Sequence, residues 1–307
     1  MQWPCDGFTV KPTISGLLVL DKPPGLSSRE AVNQVTRLLP RVKMGHAGTL
    51  DPMATGVLVL CLGKATRLIP YVQRMPKEYR ATLRLGQRSE THDLEAPVEH
   101  VAMSGTIDQV AFDLCLTTFL GELLQVPPQH SAVHVEGRRA YEWARAGQSV
   151  ELKPRRVRFD RLVCKRFEFP EADLEIECSS GTYVRSLIRD LGEKLGCGAV
   201  MTRLVRTAVG SFHLEGAIGP DNLTQQSLAE SLRPVGDAVR GIPVVVLPAD
   251  RQEDVRHGRA IDATDFWHSL PLGNECTLVD EAGHVLAVAE VDSAGSTIRP
   301  RIVLCGN

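Results

Sequence analysis

No Cys-x-x-Cys pair occurs in the 307 residues; the eight cysteines, at 5, 61, 115, 164, 178, 197, 276 and 305, are scattered. That spacing excludes the common zinc and thiol-redox frameworks. No apolar run approaches the roughly 20 residues that a membrane-crossing helix needs. The start, Met-Gln-Trp-Pro-Cys-Asp, lacks the basic segment and apolar core of a secretory signal. The expectation is a cytoplasmic protein with reduced thiols. A phosphate loop is missing too, because Leu58 stands where a glycine would have to precede Gly63-Lys64. Internal repeats and low-complexity segments are absent. There is little charge excess: the formal net charge is −2, which argues against a nucleic-acid partner until the distribution of charge is considered.

That distribution is uneven. Residues 1–215 carry 28 Lys/Arg against 24 Asp/Glu, and residues 216–307 carry 7 against 13. Two stretches concentrate the positive charge. Lys64, Arg67, Arg74, Lys77, Arg80, Arg84 and Arg88 are interrupted by Glu78 alone; Lys153, Arg155, Arg156, Arg158, Arg161, Lys165 and Arg166 by Asp160 alone. Each suits a phosphate-binding surface and, equally, a solvated sheet face. Apolar content of 43% and charged content of 23% are ordinary for a folded soluble chain, and the length accommodates a catalytic domain with a smaller appended one.

Residues 16–21 form a short apolar run ended by Lys22-Pro23-Pro24-Gly25, a buried strand entering a turn. Ser27 and Glu30 make a capping box for a helix whose Ala31, Val32, Val35, Leu38 and Leu39 share one face before Pro40. Residues 45–56, with three glycines and a proline, form a loop ahead of the apolar strand Val57–Leu62. Tyr79, Ala81, Leu83 and Leu85 alternate with Arg80, Thr82 and Arg84, the pattern of a half-buried strand with a basic outer face. A helix is expected around 108–124, and then an excursion from the main sheet at 125–152 that contains a short helix from Arg138 to Ala146. Strands resume at 155–168 and 173–178, and Gly181-Thr182 opens a helix with Val184, Leu187, Ile188, Leu191 and Leu195 on one face. Residues 216–241 read as a polar connection. From Ile242 the short strands Val244–Leu247, Cys276–Val279 and Val285–Val291, with a turn at Asp280–Gly283, suggest a small β-barrel. The division is therefore 1–241 and 242–307.

Asp51 stands in the glycine-rich loop between two regular elements, where a side chain can meet a substrate on a rigid scaffold. By local pattern, an aspartate before proline fits a turn former or helix cap as well, and His46 a surface or capping histidine. His130 and His134 have the spacing of metal ligands on a helix, but the proline-rich setting is not helical and supplies no third ligand.

Five ordered segments carry more weight than any one residue: Gly16–Gly25 (GLLVLDKPPG), Gly45–Gly56 (GHAGTLDPMATG), Lys77–Gly86 (KEYRATLRLG), Ser131–Gly147 (SAVHVEGRRAYEWARAG) and Gly181–Gly198 (GTYVRSLIRDLGEKLGCG). In order and rough spacing they resemble the successive motifs of the bacterial tRNA pseudouridine-55 synthase (TruB) family, strongly over residues 16–213 and loosely beyond. The resemblance implies an α+β pseudouridine synthase fold, with a mixed, largely antiparallel central sheet flanked by helices, an RNA-binding insertion at about 125–152 and a PUA-like C-terminal barrel. It implies isomerisation of uridine 55 in the T-loop of tRNA, by base flipping and an aspartate nucleophile. The reaction neither gains nor loses atoms, so no cofactor and no metal are expected; the partner is the tRNA T-arm and the protein a monomer.

By motif the nucleophile is Asp51, and Arg185 is the arginine whose fork aligns the carboxylate and lowers its pKa. Tyr79 matches the tyrosine that stacks on the base and accepts the proton lost from carbon 5. Tyr183 and Leu204 match positions lining the uracil pocket, His46 the histidine stacked under the displaced nucleotide, and Lys22-Pro23 the segment behind the pocket. As bare features, Arg185 also fits a solvent-facing helix residue and Tyr79 the core. One departure stands out: from 242 onward the only basic residues are Arg251, Arg256, Arg259, Arg299 and Arg301, outnumbered by acids. Two other classes fit parts of the sequence. An RNA-binding protein that aids tRNA folding would leave the catalytic motifs idle. A nucleoside or glycoside hydrolase would want a second carboxylate, for which Glu78 and Asp190 qualify by type.

Overall fold

The computed structural model describes residues 14–102, 105–263 and 274–305. In chain order, strand β1 (Gly16–Lys22) leads into helix α1 (Ser28–Leu38), β2 (Met44–His46) and β3 (Thr55–Leu62). After α2 (Ile69–Arg74) come β4 (Lys77–Leu85), the small pair β5 (Gln87–Arg88) and β6 (Glu99–His100), then α3 (Gln109–Thr117) and β7 (Gly121–Gln125). The excursion holds β8 (His134–Val135), β9 (Arg138–Arg139) and α4 (Ala140–Arg145); β10 (Arg155–Glu168), β11 (Glu171–Cys178), α5 (Val184–Lys194), β12 (Ala199–Val209) and β13 (Phe212–His213) follow. A connecting helix α6 (Gln225–Ser231) precedes β14 (Val244–Val246), α7 (Ala249–Arg256), β15 (Ile261–Asp262), β16 (Glu275–Val279), β17 (Val285–Val291) and β18 (Thr297–Val303).

Nine strands make the main sheet in the order β1-β3-β12-β4-β11-β10-β7, with β2 beside β3 and β13 beside β12. Every pairing is antiparallel except β12 with β3, so the sheet is mixed and largely antiparallel. Its centre is apolar on both faces: Val57 through Leu62 are all fully buried. One face packs under α1, α3 and α5 in a core that includes Leu18, Leu58, Leu60, Leu83 and Leu187. The other carries Leu17, Val57 and Val59 against Val239, Val288 and Leu304 from the C-terminal part of the chain. The second sheet, β14-β16-β17-β18-β15, curls around Leu278, Leu286 and Ile298 as an open half-barrel with two short edge strands.

Residues 216–241 do more than connect. Leu17 N donates to Arg233 O at 2.9 Å and Asp21 N to Ile218 O at 3.0 Å, so this segment pairs along the free edge of β1. The capping box at Ser27 and Glu30 forms as its spacing predicts. The helix expected at 108–124 is shorter, because Gly121 at φ +86° starts β7, which pairs with β10 instead. The loop expected at 45–56 has strand residues at both ends, and only 47–54 lie outside β2 and β3.

The two basic stretches behave differently from a bare phosphate-binding surface. The acidic outer positions of β11 stand opposite them: Glu171 faces Arg84 and Glu175 faces Arg80 in register. Arg84 pairs with Glu171 at 2.6 Å, Arg166 with Asp173 at 2.6 Å and Arg161 with Glu175 at 3.2 Å. Opposite charges across neighbouring strands neutralise this face.

Candidate active site

The loop bearing Asp51 is held on both sides of the residue. Ser28, buried at the start of α1, donates from Oγ to Leu50 O at 3.0 Å and accepts from Leu50 N at 2.8 Å. Pro52 O accepts from Gly25 N at 2.9 Å and from the fully buried Lys22 Nζ at 3.2 Å. Lys22 also donates to Pro23 O and Leu26 O, and burial brings its amine down to about 8. The Lys22-Pro23 turn thus lies directly behind the loop.

Arg185, in the first turn of α5 and almost wholly buried, reaches Asp51 in a two-point fork: Nη2 donates to Oδ1 at 3.0 Å and Nε lies 2.9 Å from Oδ2. The guanidinium is fixed from behind, with Nη1 donating to Thr91 O at 3.1 Å and Nη2 to His130 O at 2.9 Å. The helix-surface alternative for Arg185 is therefore excluded. A second carboxylate, Asp93, is fully buried 3.6 Å from Arg185 Nη1. Burial pushes the Asp51 carboxyl above its ordinary range and Asp93 pushes it the same way, while the guanidinium pulls it down. The lowering expected from the fork is present, but desolvation outweighs it.

A cavity of about 630 Å³ opens over this pair. Asp51, Tyr79, Tyr183, Arg185 and Leu204 all line it. Tyr79 points inward from β4, opposite Arg206 of β12, and burial raises its phenol. Leu204 is inward on the same strand as Arg206. Tyr183 caps α5, its backbone gripped by Gln125, which donates to Tyr183 O at 3.1 Å and accepts from Tyr183 N at 2.8 Å. His46 sits outside the cavity wall, on β2 opposite Leu60; burial lowers its pKa. The excursion contributes Tyr141 and Arg145 to the rim, with Arg145 over the Tyr141 ring at 5.3 Å. Lys77 lines the cavity as well, donating to Gln73 O and Met75 O, and burial brings its amine down to about 8.

Glu78 lies on the exposed outer face of β4, and Asp190 pairs with Arg189 outside the cavity wall. The carboxylate that does reach the cavity is Glu95, which accepts from Met53 N at 3.2 Å. Sequence reasoning passed over Asp93, Gln125, Ser28 and Arg206. Only Arg206 had a readable signal, a charge at an inward position of an alternating strand. His134 is exposed on β8 and His130 lies 3.4 Å from Glu90; among the described residues no group of three His, Cys, Asp or Glu is placed to hold a metal. Among the same residues, no helix is long and apolar enough to cross a membrane.

Residues 36–184 match the model of the TruB family pseudouridylate synthase N-terminal domain, and residues 185–251 that of the tRNA pseudouridylate synthase B C-terminal domain. A Thermobifida fusca protein named tRNA pseudouridine synthase B is 42% identical over 95% of this chain and 99% of its own. One of the same name from Cupriavidus pinatubonensis is 43% identical over 82% of each. Among solved structures, a Cbf5-Nop10-Gar1 complex contains a chain that superposes with a TM-score of 0.73 at 25% identity, covering 94% of this chain and 85% of that one. A chain of an H/ACA RNP bound to a substrate RNA gives 0.73 at 23%, covering 95% and 85%. The architecture is the α+β pseudouridine synthase fold with a PUA-like C-terminal sheet. Identity of 42% along nearly the full length of two chains reflects common descent, and this chain belongs to the TruB family of pseudouridylate synthases.

Proposed function

We propose that the chain is a tRNA pseudouridine synthase that isomerises uridine 55 in the T-loop, with Asp51 as nucleophile. The observation that carries this reading is the Asp51 carboxylate at the cavity floor, gripped at two points by a buried guanidinium. Such a fork favours the ionised form of a desolvated carboxylate and fixes its orientation towards the cavity. In the reaction, an Asp51 oxygen bonds to the ribose anomeric carbon as the bond to N1 breaks, and the electron pair leaves with the uracil ring. The ring turns, carbon 5 bonds to the anomeric carbon, and Asp51 departs as a carboxylate. The carbon 5 proton passes to Tyr79 as the phenol releases its own, and N1 takes one up, so atoms and charge balance.

Tyr183 and the Leu204 backbone flank the ring, and His46, kept neutral by burial, stacks under the displaced nucleotide. Arg74 and Arg145, which line the cavity, meet the phosphates and offset the few kcal/mol of unstacking that base extrusion costs. The paired arginines of β4 and β10 have a smaller part in this than their number in the sequence implies. Closure of the apolar wall around the intermediate keeps water from hydrolysing it. The catalytic unit is residues 1–241, with the 125–152 excursion holding RNA, and residues 242–307 form the appended unit of a cytoplasmic monomer that uses neither cofactor nor metal.

The test is pseudouridine mapping, by carbodiimide labelling or mass spectrometry, of an unmodified T-arm transcript treated with wild type and Asp51→Asn. Product at position 55 with the wild type alone is expected, with RNA binding retained by the variant. Normal turnover by Asp51→Asn, or release of free uracil, would overturn the mechanism.

A further inference from the structure

Arg206 is among the most deeply buried large side chains in the molecule, 2% exposed. No carboxylate lies within ion-pair reach of it among the described residues. Its partners are backbone carbonyls, and all of them belong to the segment that carries Asp51. Nη2 donates to Gly48 O at 3.2 Å and Nη1 to Thr49 O at 3.3 Å, ahead of Asp51; Nε donates to Val57 O at 2.7 Å, beyond it. Tyr79 stands directly across the strand pair from Arg206.

The backbone is shaped for this grip. Gly56 adopts φ +97°, and a Cβ there would stand 2.3 Å from Arg206 O, so loop and strand approach more closely than any other residue allows. Strand alternation in β12 puts Arg206 on the same inward face as Leu204, two residues before it. A buried cation without a counter-ion costs stability, and the three carbonyls satisfy it only while the loop holds this shape.

We infer that Arg206 is a positioning residue: one guanidinium, on the strand that faces Tyr79, fixes both ends of the Asp51 loop and so sets where the nucleophile stands. The inference rests on the function proposed above. Arg185 orients the carboxylate; Arg206 orients the backbone from which that carboxylate projects. Near-attack geometry is steep in distance, and a displacement of about 1 Å costs about 100-fold in rate. Lysine keeps the charge but reaches one carbonyl at a time, and loses the planar fork that spans two.

The experiment uses the full chain, a T-arm transcript, and Arg206→Lys and Arg206→Ala. Expected are transcript affinity within about threefold of wild type, a kcat lower by about 100-fold in both variants, and partial recovery of Arg206→Ala by methylguanidinium. Rescue by a small cation reports an occupied guanidinium site, which a general loss of folding would not give. A kcat near the wild-type value in either variant would overturn the assignment. So would joint loss of fold and binding in both, since Arg206 would then be a folding residue. Wild type inactive on the transcript, or Asp51→Asn active, would instead sink the proposed function and is read out separately.

Discussion

Replacing Arg185 by methionine would leave Asp51, partly exposed to the cavity, beside the buried Asp93 with no guanidinium bridging them. The guanidinium makes two contacts to Asp51, one to each of two backbone carbonyls, and an ion pair at 3.6 Å with Asp93. A nearby arginine lowers an aspartate by about 1–3 pH units, so its removal should lift Asp51 by that much from a value burial has already raised. The sign follows from the carboxyl chemistry: the carboxylate proposed as nucleophile is present above its pKa and lost as pH falls through it. Single-turnover pseudouridine formation, followed across pH 5–9, should therefore show its acid limb displaced upward by about 1–3 pH units in Arg185→Met. Arg185→Lys should return the limb towards the wild-type position, because the charge is restored, but with a lower plateau, because the fork is not. Stability moves the opposite way to the usual aspartate case. Between the ordinary carboxyl value and the raised one, the folded state binds more protons than the unfolded, so stability falls as pH rises. An acid limb in Arg185→Met that coincides with wild type would refute the view that this cation holds Asp51 ionised.

Gly56→Ala should destabilise by about 2–4 kcal/mol or prevent folding, measured by urea unfolding, because φ +97° is strained for alanine and its Cβ meets Arg206 O. Gln125→Leu should cost about 1–3 kcal/mol, since it strands the Tyr183 N–H, and a urea midpoint equal to wild type would dismiss the clamp. Lys22 titrates at about 8 in the folded chain against an ordinary 10.5. The unfolded state therefore binds more protons between those values and stability rises with pH across them; Lys22→Met should flatten that rise in Tm measured from pH 7.5 to 10.

Where periodicity and turn chemistry agreed, the fold was legible: β1, the capped α1, β4, β11 and α5 lie close to where apolar spacing puts them. β18 escaped because Pro300 interrupts its pattern; among the described residues β15 pairs only with Ile298 and Thr297, away from the proline. β7 escaped because Leu124 is exposed and the strand is short. At the site, Asp51 and Arg185 could be named from motif order, but their mutual geometry depends on packing between segments 134 positions apart. Asp93 had no signal at all, since one acid in the run Ser89–Asp93 becomes special only by being buried beside a guanidinium from α5. The basic runs misled for a related reason, because the neutralising acids of β11 are neighbours across the sheet and not along the chain.

The strand that follows the Asp51 loop has no wet side. Helices cover one surface of β3, and Val239, Val288 and Leu304 cover the other. A fragment ending at residue 241 would keep Val239 but lose Val288 and Leu304, baring the part of the apolar back that they cover, a surface that invites self-association. The half-barrel thus shields apolar surface of the main sheet, a packing role separate from any contact with RNA.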